Sequence, residues 1–108
     1  MPDKKIVMFG RPYKHCPHCK DVWNLLTLLH ARPDNRIRFE LEKHNLEEAH
    51  AVEYLAKLGL GEFKATPITV CLESDAIWDH DNAVIVGARD DSFFELVVRE
   101  FTRNGTAG

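Results

Sequence analysis

Apolar and polar positions along the chain fall into two rhythms, and each rhythm predicts an element. Residues 6–9, Ile-Val-Met-Phe, form a continuous apolar run closed by Gly10 and Pro12, the pattern of a strand buried on both faces. From Cys19 onward, Val22, Trp23, Leu26 and Leu29 recur at helical spacing, and Pro17 stands where a first helical turn tolerates a residue without an amide hydrogen. The spacing predicts a helix over 17–30. Arg32-Pro33-Asp34-Asn35 reads as a loop, and 37–42 then alternates apolar and charged residues, as a half-exposed edge strand does. Asn45 and Glu48 have the spacing of a helix start, Ala49, Val52, Leu55 and Leu58 form a stripe, and Gly59 occupies the C-terminal cap position. Thr66-Pro67 opens a strand over 68–72; a polar stretch, 73–82, returns the chain to a further strand over 83–86, giving an antiparallel hairpin with a long loop. Ser92 and Glu95 match a capping box ahead of Phe93, Leu96, Val97 and Phe101. The expected order is βαβαββα, an α/β architecture with four strands.

Composition narrows what such a unit does. A chain of 108 residues with 44% hydrophobic and 29% charged residues suits one folded domain spanning 1–108, without linkers or repeats. The formal net charge is −3 and no basic block occurs, so the phosphate-neutralising surface of a nucleic-acid binder is missing and no such partner is expected. The N-terminal apolar run is four residues long, too short for an export signal or a membrane span, so a cytoplasmic protein with no membrane partner is expected. In a reducing compartment, three cysteines do not read as a disulfide framework, and a close pair among them calls for a chemical explanation.

That pair is Cys16 and Cys19, in Lys14-His15-Cys16-Pro17-His18-Cys19-Lys20. Redox cycling, metal binding and structural thiols are the alternatives. Two cysteines three apart at a helix start face the same way, and the first meets unpaired backbone N–H groups and the positive end of the helix dipole. A thiolate is stabilised there, and the thiolate is the attacking species in disulfide exchange. Cys16 is thus read as the nucleophile and Cys19, one turn deeper, as the resolving thiol. Pro17 fixes the first turn in a geometry that can close into a small ring, and His18, with Lys14, His15 and Lys20, adds groups that favour thiolate over thiol. A zinc site of the finger type needs a second ligand pair at similar spacing; Cys71 and His80 are nine apart, so no metal is expected. Cys71 lies in an apolar run and reads as a packing residue, and His30, His44 and His50 read as solvated.

A strand leading into Cys-Pro-x-Cys at a helix start, then βα, then Thr66-Pro67 opening a hairpin, and Gly87-Ala88-Arg89-Asp90-Asp91 before the last helix, resembles a glutaredoxin over about residues 5–101. The resemblance implies a thioredoxin-like fold, a four-stranded mixed sheet flanked by helices, and a monomer. It implies a glutathione-dependent oxidoreductase that reduces protein disulfides and glutathione mixed disulfides, with no bound cofactor and glutathione as co-substrate. A cis Thr66-Pro67 bond would expose the Thr66 backbone to the cysteinyl unit of glutathione. Gly87, the Arg89 backbone and the Asp90 side chain would hold its γ-glutamyl end. Where glutaredoxins commonly carry a lysine for the glycyl carboxylate, this chain has Tyr13, with Lys14 one position later; His18 replaces the usual tyrosine. Two rivals remain. One is a redoxin of the same fold, recharged by thioredoxin reductase and donating electrons to ribonucleotide reductase; the other is an iron–sulfur or zinc-binding module, which Pro17 disfavours.

Overall fold

The computed structural model describes residues 3–35 and 38–104. Its central strand is β1 (Lys4–Gly10). Successive side chains of a strand point to opposite faces, and here both faces are covered: Ile6 and Met8 join one core cluster, Val7 and Phe9 the other. This double burial is why the run is continuously apolar. α1 (Pro17–His30) occupies the range its spacing predicts and presents Cys19, Val22, Leu26 and Leu29 to the first cluster.

β2 (Glu40–Asn45) pairs parallel with β1, from Lys5 opposite Glu40 to Gly10 opposite Asn45, and lies at the sheet edge. It begins later than the alternation predicts, and Ile37 lies outside the described residues. Phe39, just before it, is buried, and its carbonyl accepts a hydrogen bond from His30 Nε2 at 3.2 Å. His44 is not solvated either: it is half-buried, stacks on Phe9, meets the edge of Tyr54, and donates to the Glu42 carboxylate at 3.2 Å. Glu42 also accepts Lys5 as an ion pair at 3.2 Å. The charged half of the alternation is thus held along the edge.

α2 (Ala49–Lys57) starts after a turn in which the Asn45 side chain accepts the Glu47 N–H at 2.9 Å, so Asn45 closes the strand rather than capping the helix. Ala51 and Leu55 are its buried residues, with Tyr54 and Leu58 half-buried, while Ala49 and Val52 face solvent. Positions 51, 55 and 58 satisfy helical spacing as well as the expected stripe does, and the later start selects them. Gly59 (φ +80°) ends the helix: its N–H reaches the Ala56 carbonyl at 2.9 Å and that of Leu60 the Leu55 carbonyl at 3.1 Å, a Schellman closure.

β3 (Ile68–Glu73) runs antiparallel to β1 on the side away from β2. Beyond it, β5 (Val84–Val86) falls within the expected strand over 83–86, while the stretch expected as a loop forms a further short strand, β4 (Ala76–Ile77); both are antiparallel to β3, so the sheet has five strands where four are predicted. Ser74 (φ 52°) and Asp75 (φ 67°) form the two-residue β3–β4 turn, whose paired positive φ angles match the twist of a hairpin. Between β4 and β5 the chain bulges opposite Cys71, whose N–H donates to the Ala83 carbonyl (2.8 Å) and whose carbonyl accepts from Trp78 (2.9 Å). Both backbone groups of Cys71 are satisfied, and the Trp78 ring drops into the core against Phe101 at 5.0 Å.

α3 (Asp91–Asn104) begins one residue before Ser92, and the Asp90 carbonyl accepts from Phe93 and Phe94 at 3.0 and 3.3 Å. The Glu95 carboxylate takes the Arg32 guanidinium at 2.9 Å instead of closing a box with Ser92. Phe94, Val97, Val98 and Phe101 pack beside α1 on one face of the sheet; Leu96 is exposed. On the other face Leu55 and Leu60 cover Val7, Phe9, Ile68, Val70 and Leu72. One buried charge stands out: the Lys4 ammonium donates to the Phe101 carbonyl in the last turn of α3 and lies 5.2 Å over the Phe101 ring, and burial pushes its pKa down.

Candidate active site

β1 delivers the chain to Gly10, and the loop that follows folds tightly: the His15 and Cys16 N–H groups donate to the Pro12 carbonyl at 2.8 and 3.1 Å. Cys16 is therefore set immediately before α1, with Pro17 in the first turn and the Cys19 N–H on the Cys16 carbonyl at 3.0 Å. The two cysteines are joined as a disulfide with their Cα atoms 5.3 Å apart. Cys19 is wholly buried and Cys16 is 5% exposed, so Cys16 is the sulfur nearer solvent. Gly10 is required by close approach: a Cβ there would stand 3.0 Å from Cys19 Sγ and 3.1 Å from Met8 Cε.

The second segment of the site comes from the start of β3. The Thr66–Pro67 peptide is cis, Pro67 is buried, and the Thr66 hydroxyl donates to Cys16 Sγ at 3.3 Å. The residue after β5, Gly87, takes φ +85° and donates its N–H to the Pro67 carbonyl at 2.7 Å, which brings the 87–90 turn against the same proline. Thr66, Pro67 and Gly87 are thus assembled beside the disulfide. Arg89 and Asp90 are exposed; the Arg89 guanidinium lies 3.9 Å from the Phe93 ring centroid, and the Asp90 carbonyl receives the first amides of α3.

Tyr13, in the loop before the pair, meets β2. Its phenol oxygen accepts from Lys43 Nζ at 3.1 Å, and the same ammonium sits 5.1 Å from the Tyr13 centroid and 4.9 Å from that of Trp23. Gly10, Arg11, Pro12, Tyr13, Lys43 and His44 contribute to a cavity of about 420 Å³ at the ends of β1 and β2. Lys14 and His18 are exposed, and His15 donates from Nδ1 to the Glu47 carboxylate at 3.0 Å, tying the loop to the β2–α2 connection. Three parts of this arrangement were missed in the sequence reading: the Thr66 hydroxyl, the Lys43 clasp and the contact of Gly10 with Cys19. Lys43 gave no signal, because a lysine at a polar position of an edge strand looks like any solvated charge. Gly10 left a trace, since it ends a buried strand ahead of the cysteine pair.

Among the described residues, no group of three or more His, Cys, Asp or Glu is placed to hold a metal ion, and no helix is long and apolar enough to cross a membrane. Cys71 is free, 1% exposed, and burial pushes its thiol up to about 12. It stays protonated at neutral pH and packs as a small apolar residue. Alkylation of the reduced native protein at pH 7 is expected to label Cys16 and spare Cys71, with Cys71 labelled only after denaturation; peptide mapping checks this.

The sheet and helices match solved thioredoxins. Thioredoxin from Malassezia sympodialis superposes with a TM-score of 0.71 at 17% identity, covering 93% of this chain and 76% of that one. Thioredoxin O2 from Arabidopsis thaliana, in its oxidized state, gives 0.69 at 15% identity over 93% and 76% of the two chains. Desulfothioredoxin from Desulfovibrio vulgaris Hildenborough, in its reduced form, gives 0.67 at 20% identity over 91% and 81%. No protein-family model and no curated protein sequence matches the chain. At such identities the likeness carries architecture alone: the chain has the thioredoxin-like α/β fold, a mixed sheet of five strands flanked by three helices, with a close cysteine pair at the start of α1.

Proposed function

We propose that the protein is a thiol–disulfide oxidoreductase that reduces protein disulfides and glutathione mixed disulfides, with glutathione as its reductant. The observation that carries this reading is the setting of Cys16: joined to Cys19, at the head of α1, with the Thr66 hydroxyl on its sulfur. In the reduced protein the Cys16 thiolate attacks one sulfur of a substrate disulfide; the Cys16–substrate bond forms as the substrate S–S bond breaks, and the departing thiolate takes a proton from water. Cys19 then gives up its proton and attacks the Cys16 sulfur, releasing the second substrate thiol and leaving the Cys16–Cys19 disulfide. Two electrons have passed to the substrate. One glutathione thiolate attacks Cys16, forming a Cys16–glutathione bond and freeing Cys19 as a thiol; a second attacks the bound glutathione sulfur, breaking that bond, so that glutathione disulfide leaves and Cys16 is released as a thiolate.

Glutathione is favoured by the exposed residues 88–90, which follow Gly87, itself tied to Pro67 through its N–H. In this reading the Thr66 backbone pairs with the cysteinyl unit as an added strand would, the Arg89 backbone takes the γ-glutamyl carboxylate, and the Asp90 carboxylate takes its ammonium. Tyr13 and Lys14 stand at the glycyl end. A second reading, recharge by thioredoxin reductase with a partner such as ribonucleotide reductase, is favoured by Tyr13, which is engaged with Lys43 where a free lysine is expected. A coupled turnover assay on a small glutathione mixed disulfide separates them. Turnover with glutathione and glutathione reductase is the expected result; turnover supported only by thioredoxin reductase would transfer the assignment to the second reading.

A further inference from the structure

We propose that the Thr66 hydroxyl is a catalytic group that donates its hydrogen to the Cys16 thiolate and biases the cysteine couple toward its reduced form. The inference rests on the reading of Cys16 as nucleophile and adds a residue side chain to that site. The hydroxyl lies 3.3 Å from Cys16 Sγ, and that is its one hydrogen bond among the described residues. A hydroxyl has a single hydrogen to give, and here it is given to the reacting sulfur. The strength of that bond depends on the acceptor. A sulfur in a disulfide is a weak, neutral acceptor, whereas hydrogen bonds to an ionised partner are roughly twice as strong as neutral ones. The Thr66 bond therefore strengthens when the disulfide opens and Cys16 becomes a thiolate, and it favours products over reactants in reduction.

Surroundings decide that this dipole outweighs the nearby charges. Arg11, Lys14, His18 and Lys20 are exposed, as is His15, which is bonded to Glu47, so water and salt screen them. Thr66 is half-buried and Cys16 5% exposed, so their contact is screened far less. In the equilibrium with glutathione, two glutathione thiols supply two electrons to the Cys16–Cys19 bond and become glutathione disulfide. One of their protons goes to Cys19, and the other passes to water when Cys16 stays ionised.

Thr66→Val keeps the branched shape and removes the hydroxyl; Thr66→Ser keeps the hydroxyl. Two readouts are taken on wild type and both variants: ultraviolet titration of the Cys16 thiolate in the reduced protein, and the equilibrium constant against glutathione. In Thr66→Val the Cys16 acid dissociation constant and the equilibrium constant for reduction are each expected to fall about tenfold, the latter about 30 mV for a two-electron couple. Thr66→Ser is expected to restore both. Values for Thr66→Val equal to those of a cycling wild type would overturn the role of the hydroxyl, as would a failure of serine to rescue. The thiolate titration needs no glutathione, so a shift there without glutathione turnover upholds the hydroxyl while removing glutathione as the reductant.

Discussion

Cys16→Ser is expected to abolish turnover of a glutathione mixed disulfide, a loss on the order of 10³-fold or more, because no other sulfur can take its place. Cys19 is wholly buried and Cys71 is buried with its thiol pushed up to about 12, so neither offers an accessible thiolate at neutral pH. Cys19→Ser has a different expected effect. Removing a glutathione adduct needs one protein thiol: under the proposed function Cys16 would take the glutathionyl group and a free glutathione would take it back. That variant should keep substantial activity on the small mixed disulfide and lose reduction of protein disulfides, where the mixed disulfide must be resolved from within. Initial rates on the two substrate types, measured side by side, check both halves.

Phe101→Ala carries the largest expected loss of stability, about 3–5 kcal/mol, the range for emptying a buried aromatic site. Phe101 is 0% exposed, packs on Trp78 at 5.0 Å, and lies under the Lys4 ammonium at 5.2 Å. Its removal opens a cavity where α3, β1 and the β4–β5 bulge meet and leaves a buried cation with less to rest against. Against an ordinary domain stability of about 5–15 kcal/mol, such a loss removes a large share, and at the low end of that range it brings the chain close to unfolding at ambient temperature. Leu28→Ala, at a position 69% exposed, is the control and should stay within about 0.5 kcal/mol of wild type. Urea denaturation of the oxidised proteins measures both.

How legible the fold was depended on whether local pattern and tertiary burial demand the same thing. At β1 and α1 they do: a strand buried on both faces must be apolar throughout, and a helix carrying Cys19, Val22, Leu26 and Leu29 inward must show that spacing. α2 shows the opposite case, because two overlapping stripes fit one helix and the turn at Asn45 chooses between them. The short β4 hairpin was invisible for a chemical reason: its turn is Ser74-Asp75 without a glycine, and the two strand residues are too few to show alternation. Trp78, set in a polar stretch, enters the core only because the bulge opposite Cys71 turns it inward.

The site divides along the same line. Cys16, Pro17 and Cys19 announce themselves through spacing, and Thr66-Pro67 through its place before β3. What spacing cannot convey is which atoms meet. The Thr66 hydroxyl on Cys16 joins residues separated by 50 positions, and Lys43 on Tyr13 joins residues separated by 30. Long-range contacts of this kind follow from strand register, which pairs β1 with β2 and β3 at once.

The most direct measurement of the central claim, that Cys16 is the attacking sulfur of an exchange site, is the intact mass and peptide map of reduced Cys19→Ser protein mixed with glutathione disulfide. The expected result is one glutathionyl group, on Cys16 and not on Cys71, removed again by free glutathione. No adduct, or an adduct on Cys71 with Cys16 unmodified, would contradict it.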